Sequence, residues 1–313
     1  MLLQLATQLL WPARCAACNA FVHEDMAFCE SCALSVVPLG WEPWEGFPRP
    51  SAPHPPPPPH SLSPSGTSGP ALCPPPPLAT LALSRSAPPT LPRWRATRSA
   101  VGAGGLTTRS EQICFGCGLP LSDTDAGGEE SSRCHGCRAR PLPFSRVWPV
   151  LAYGGATTEA VLHLKHGRRR HLARPLGALL APAIAAAIDS GADTLCPVPL
   201  HPRRLRQRGF NQALELLRVA EKLVRRPGVR SLVVSDGLRR IRDTPALGWE
   251  SPASRRRIVA GAFTVHRPEW TKGRRILLVD DVMTTGATLA ECTRVLLKAG
   301  ATDVQVTALA RVS

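Results

Sequence analysis

The sequence has no uninterrupted run of about 18 apolar residues, the length a membrane-spanning helix needs, so no membrane span is expected. Its first ten residues, MLLQLATQLL, lack a basic stretch and a small-residue cleavage site, and Pro12 and Cys15 follow at once. That start predicts no secretory signal and a cytoplasmic protein. Acidic residues are scarce: 23 stand against 38 lysines and arginines, for a formal net charge of +15. Such a surplus fits an anionic partner, either a phosphate ligand or nucleic acid. It fits equally well a composition simply rich in Ala, Arg, Pro and Gly, so charge alone decides little.

What is present is unevenly spread. A hydrophobic content of 43% in 313 residues suffices for one sizeable core and leaves room for a second, smaller module. Thirty-three prolines are too many for a compact fold, and they concentrate between positions 38 and 92. Segment 40–112, with proline runs at 55–59 and 74–77 among serines and alanines, cannot bury enough apolar surface to offset its ordering entropy. It is expected to be a disordered insertion, and Cys73 within it is assigned no role. Residues 2–10 are compatible with a short amphipathic helix used for packing.

Eight of the eleven cysteines form four C-x-x-C pairs: Cys15/Cys18, Cys29/Cys32, Cys114/Cys117 and Cys134/Cys137. A two-residue gap lets both sulfurs of a pair reach one tetrahedral ion, so in a reducing compartment the pattern points to two structural Zn²⁺ sites of four thiolates each. Gly116, Gly118 and Gly136 are expected to supply the tight turns of the knuckles. Spacing favours sequential pairing of the two halves, and an interleaved arrangement stays open. The remaining cysteines, Cys73, Cys196 and Cys292, are expected to be free.

The C-terminal half reads as α/β. Residues 147–153 suggest a strand, residues 157–166 a helix with Val161, Leu162 and Leu164 inward, residues 172–188 an Ala/Leu packing helix, and residues 195–199 another strand. Lys165, His166 and the arginines at 168–170 are a solvated basic face or a phosphate contact. Near the end, Ile276, Leu277, Leu278 and Val279 form a run suited to a strand buried on both faces, which Asp280 and Asp281 are expected to end. After Val282 and Met283 comes a hydroxyl-rich turn, Thr284, Thr285, Gly286, Ala287 and Thr288. A helix carrying Leu289, Cys292, Val295 and Leu296 follows, with Gly300 as its stop and a strand at 304–309 completing a βαβ unit. Such a turn at a helix N-terminus attracts a phosphate, and two carboxylates one step earlier accept from vicinal hydroxyls and can share a divalent cation. A ligand with hydroxyls at one end and phosphate at the other suits both halves.

These residues carry a resemblance. Residues 278–288, LVDDVMTTGAT, resemble the phosphoribosyl pyrophosphate motif of type I phosphoribosyltransferases. The resemblance implies that Asp280 and Asp281 meet the ribose hydroxyls and that Thr284, Thr285, Gly286, Ala287 and Thr288 hold the 5′-phosphate, with Mg²⁺ accompanying the ligand. Residues 197–213, PVPLHPRRLRQRGFNQA, together with Tyr153-Gly154-Gly155, Leu164-Lys165 and the four cysteine pairs, are similar to the ComF family, phosphoribosyltransferase-like proteins associated with DNA uptake and competence that carry an N-terminal double zinc ribbon. By that resemblance the loop after Pro199 faces the pyrophosphate, and Arg203, Arg204 and Arg208 are anion contacts, a task suited to a planar guanidinium fork. The chain departs from the family at two places in what resembles a mobile loop: Leu247 stands at a glutamine position and Ile258 at an asparagine position.

The implied organisation is a double zinc ribbon split between 1–39 and 113–144, the insertion 40–112, and a phosphoribosyltransferase-like domain at 145–313, a parallel sheet with helices on both faces. Three functions compete. The first is magnesium-dependent pentosyl transfer from phosphoribosyl pyrophosphate to a nitrogen nucleophile. The second is a non-catalytic factor binding nucleotide or single-stranded DNA alongside DNA-uptake proteins. The third, a zinc adaptor, explains the ribbons but not the phosphate loop. No residue reads a base, so the acceptor is not named by the sequence.

Overall fold

The computed structural model describes residues 13–22, 26–39, 113–121, 132–166, 169–225, 232–233, 237–245 and 250–312. The expected helix at 2–10, the insertion 40–112 with Cys73, and Leu247 lie outside them. A four-stranded, all-parallel sheet in the order β1-β6-β5-β2 organises the C-terminal part: β1 Val147–Ala152, β2 Thr194–Pro197, β5 Arg275–Met283 and β6 Asp303–Arg311. A two-stranded antiparallel ribbon, β3 Leu238–Arg240 with β4 Phe263–Val265, stands apart from it.

Strand β5 sits between two partners, and this explains its composition. Its residues alternate between two cores: Leu277 and Val279 pack on one side, Ile276 and Leu278 on the other, all fully buried. On the first side lie α3 (Gly155–His166), α4 (Ala173–Asp189) and α6 (Gln212–Val224), contributing Leu164, Leu176, Leu180, Ile184, Leu216 and Leu217. On the second lies α8 (Ala287–Lys298), contributing Leu289, Cys292 and Leu296. Each buried leucine contributes about 1.5–3 kcal/mol relative to exposure, so this two-sided burial fixes where the end of β5 falls.

Several expectations change. The acids do not end the strand: β5 runs on through Asp280 and Asp281 to Met283, because Asp280, Val282 and Met283 still pair with Ala308, Ala310 and Arg311 of β6. Leu162 points outward at 38% exposure, since only Val161 and Leu164 of that trio share the buried stripe of α3 with Ala160. Gly136 lies within α2 (His135–Ala139), where nothing crowds a β-carbon, whereas Gly118, at φ +74° with Val147 Cγ1 2.7 Å from where a β-carbon would be, does require glycine. Among the described residues one helical stretch, Arg170–Asp189, is long and apolar enough to cross a membrane by length and composition alone; 56% of its apolar 18-residue window is buried inside the fold. Packing of α4 against α6 and the sheet accounts for those apolar residues.

Both cysteine modules dock on this body, and both hydrogen-bond to β1, the first through Val37 and Leu39 and the second through Phe115. The first, containing α1 (Glu30–Ala33), rests on α3: Ser35 Oγ accepts from the N–H of Ala156 at 3.0 Å, and the Ala16 carbonyl lies 2.9 Å from His163 Nδ1. The second is tied to β1, where Val147 N–H donates to the Phe115 carbonyl at 2.8 Å and Arg146 lies between the rings of Phe115 and Trp148.

Candidate functional site

Alternation along β5 sends the two acids to opposite faces. Asp281 shares its side with Leu277 and Val279 and meets α3, where Lys165 Nζ lies 3.3 Å from its Oδ1. Asp280 shares its side with Ile276 and Leu278 and lies in the field of Arg240 and Cys292. Its carboxyl is pushed up to about 8 by burial and then by the charge of Asp281, with Lys165 opposing. The main-chain N–H of Asp281 donates to Asp280 Oδ1 at 2.8 Å. These hard oxygens suit a divalent cation, and Lys165 already supplies a positive charge to the same pair.

The chain then turns. Gly286 takes φ +74° and precedes the first turn of α8, whose N-terminus has no side-chain cap. A β-carbon there would come within 3.0 Å of Met283 Cε, a flexible chain end that can yield, so it is the backbone conformation that calls for glycine. Among the described residues, the buried hydroxyl of Thr285 has no hydrogen-bond partner. Free N–H groups at a helix start, beside hydroxyls of Thr284, Thr285 and Thr288, are suited to an anion. The site therefore lies at the carboxyl end of a parallel strand, where ligands of open α/β sheets bind.

Three arginines were expected here, and the structure separates them. Arg208, at the end of α5 (Pro202–Arg208), is influenced by both Asp280 and Asp281, although burial outweighs them and lowers its pKa; its Nη1 donates to Gln212 Oε1 at 3.1 Å. Arg204 Nη2 donates to the Thr244 carbonyl at 2.6 Å, and Arg203 reaches Asp243 at 3.4 Å while largely exposed. His201 Nδ1 also lies 3.7 Å from Asp243. The loop after β2 is thus tied to the β3 ribbon. Asn211 holds its far end, accepting from Leu214 N–H and donating to the Val198 carbonyl. An open cleft of ≈ 290 Å³ beside this loop, lined by Arg170, Leu205, Phe210 and Glu215 among others, does not include the acids.

Sequence reasoning missed Arg240. It is buried on β3, donates to Thr244 Oγ1, and lies within the field of Arg204 and Asp280. Its neighbour Arg239 faces solvent, and only the strand's alternation distinguishes the two. Ile258, at the family's asparagine position, lies partly buried on α7 (Pro252–Val259).

The cysteines gather as two sequential sets, Cys15/Cys18/Cys29/Cys32 and Cys114/Cys117/Cys134/Cys137, with the sulfurs of each set within 4.8 Å of one another. The Sγ atoms of Cys18 and Cys29 are 3.6 Å apart, and those of Cys117 and Cys134 are 3.8 Å apart. A tetrahedral zinc with Zn–S of about 2.3 Å separates its sulfurs by about 3.8 Å, so both sets have the geometry to hold zinc. Cys196 and Cys292 are buried outside the clusters, and burial pushes the Cys196 thiol up to about 12.

The family described as phosphoribosyl transferase domain matches residues 218–313, from within α6 to the end, which includes both acids and the 284–288 turn but not Arg203, Arg204 or Arg208. DNA utilization protein YhgH of Escherichia coli (strain K12) is 32% identical over 212 residues, covering 66% of this chain and 86% of the relative. The same-named protein of Salmonella typhi is 34% identical over 206 residues, covering 64% and 84%. Competence protein F of Haemophilus influenzae is 36% identical over 221 residues, covering 66% and 94%.

Proposed function

This chain belongs to the ComF family, and on that premise we propose that it binds 5-phosphoribosyl pyrophosphate or a closely related ribose phosphate, in a role associated with DNA uptake. The observation that carries the reading is the sequence of features at the end of β5: two carboxylates, an uncapped helix start and a glycine-shaped turn within one short segment. In this reading the turn 284–288 holds the 5′-phosphate, and Asp280 and Asp281 accept from the ribose 2′ and 3′ hydroxyls. Arg208 and Arg204 face the pyrophosphate, with Arg203 at the rim. Mg²⁺ bound with the ligand supplies charge neutralisation.

For pentosyl transfer, the C1–O bond to pyrophosphate breaks with its electron pair leaving on the pyrophosphate, while a nitrogen nucleophile forms the new bond to C1. The chain's own contribution is positional and electrostatic: arginines stabilise the leaving anion and the acids fix the ribose. Two zinc ions in the cysteine clusters, in a ribbon formed by 1–39 and 113–144 ahead of the 145–313 domain, and a cytoplasmic location complete the proposal. A second reading is favoured by the names of the relatives and by Leu247 and Ile258, which lack the amides of the family pattern. In it the same site senses a nucleotide and the basic loops hold single-stranded DNA without catalysis.

Calorimetry of phosphoribosyl pyrophosphate with Mg²⁺ against wild type and the Asp280→Asn/Asp281→Asn double variant tests the site. Affinity should fall at least tenfold with the fold intact; equal affinity would place the ligand elsewhere.

A further inference from the structure

Arg311 closes β6, where a terminal arginine would ordinarily reach into water. Instead it is 7% exposed and its guanidinium spans two modules. Its Nε donates to the carbonyl of Cys117, a residue of the second cysteine cluster, at 2.6 Å. Its Nη1 donates to the carbonyl of Thr284, the first residue of the phosphate turn, at 2.6 Å, and also reaches the carbonyls of Met283 (3.4 Å) and Val312. A guanidinium is a rigid planar fork, so these bonds fix the Cys117 knuckle and the start of the turn at one separation. Leu142 and Phe144, which follow the second cluster, line the space beside Gly286 and make a second contact between the same parts.

The charge around Arg311 has a further consequence. Among the described residues no ion pair with a carboxylate includes it; it donates to main-chain carbonyls and lies against the Cys117 side chain, within the field of Cys114 and Cys137. A buried cation without an anion is unfavourable. Four thiolates around one divalent ion carry a formal charge of about −2, whereas four protonated thiols carry none. A divalent ion would also draw the four sulfurs together and so fix the Cys117 knuckle whose carbonyl Arg311 holds, with the Thr284 carbonyl on the same guanidinium.

We propose that Arg311 is a positioning residue through which metal loading of the Cys114/Cys117/Cys134/Cys137 cluster sets the conformation of the 284–288 turn. The significance of that turn rests on the phosphoribosyl reading above, but the coupling can be measured without ligand. Amide hydrogen exchange of 284–288 is followed in the full chain, zinc-loaded, and again with Cys134→Ser/Cys137→Ser. Exchange in the turn should rise roughly tenfold, the size of an ordinary coupling between sites. Unloading the other cluster with Cys18→Ser/Cys29→Ser should leave the turn unchanged. Arg311→Lys keeps the charge but cannot bridge both carbonyls; its turn should exchange fast whether or not metal is present. Should the serine variants fail to fold, wild type and Arg311→Lys are compared after zinc is withdrawn by a chelator. A turn indifferent to loss of the second metal, or an Arg311→Lys protein as metal-sensitive as wild type, overturns the inference. A metal-sensitive turn in a protein that binds no phosphoribosyl pyrophosphate refutes the ligand reading and leaves the coupling standing.

Discussion

Asp280 should be largely protonated at neutral pH in the ligand-free protein. Its carboxyl is pushed to about 8 by burial and by Asp281 one residue away, with Lys165 pulling in the other direction. At pH 7 a group of pKa 8 carries a proton in roughly ten molecules of eleven, so a ligand that needs both carboxylates ionised should release roughly 0.9 proton on binding. Affinity should then climb about tenfold per pH unit from 6 toward 8 and level off above. Two variants move this in opposite directions. Asp281→Asn removes the second-largest cause and should bring the titration down; Lys165→Met removes the opposing charge and should send it up. Carboxyl-carbon NMR of aspartate-labelled protein reads the titration directly, and calorimetry in buffers of different ionisation enthalpy counts the protons. An Asp280 signal titrating near 4, or an affinity flat between pH 6 and 8, would refute the electrostatic argument.

The same shift has a cost in stability. Between about pH 4 and 8 the folded chain holds a proton that the unfolded chain has lost, so this site destabilises the fold progressively as pH rises through that window. Asp280→Asn should therefore be more stable than wild type at pH 7 by roughly 2–4 kcal/mol, seen as a higher unfolding temperature, while binding its ligand less well. Metal analysis of reduced protein should return two zinc ions per chain, and one or fewer would contradict the cluster reading. Single-stranded DNA, if held by the basic loops, should bind with a log–log salt slope of about −0.7 per neutralised phosphate. Charge reversal at Arg203, Arg204 and Arg208 should reduce both slope and affinity; binding that is indifferent to salt would leave that loop to the small ligand alone.

Much of the site could be read in the sequence because its parts are contiguous. The run 276–288 states strand, acids, turn and helix start in order, and the C-x-x-C spacing anticipates the sequential clusters the structure brings together. What escaped depends on contacts across the fold. Lys165 was visible as a charge at the end of a helix, but only the packing of α3 on β5 shows that it faces Asp281. Arg240 and Arg239 are identical in the sequence, and a strand's alternation buries one and exposes the other. Arg311 looks like a solvated terminal charge until the second cysteine module is placed beside it. The continuation of β5 past its acids was likewise hidden, because it depends on β6 being long enough to pair with it.

The central claim is that a ribose phosphate is held where β5 gives way to α8, and a crystal structure with phosphoribosyl pyrophosphate and Mn²⁺, located by its anomalous scattering, tests it most directly. The 5′-phosphate should lie against the main-chain N–H groups of residues 285–288 and the ribose hydroxyls on Asp280 and Asp281. Ligand density in the cleft between Arg170 and Phe210, with the 284–288 turn empty at saturating ligand, would contradict it.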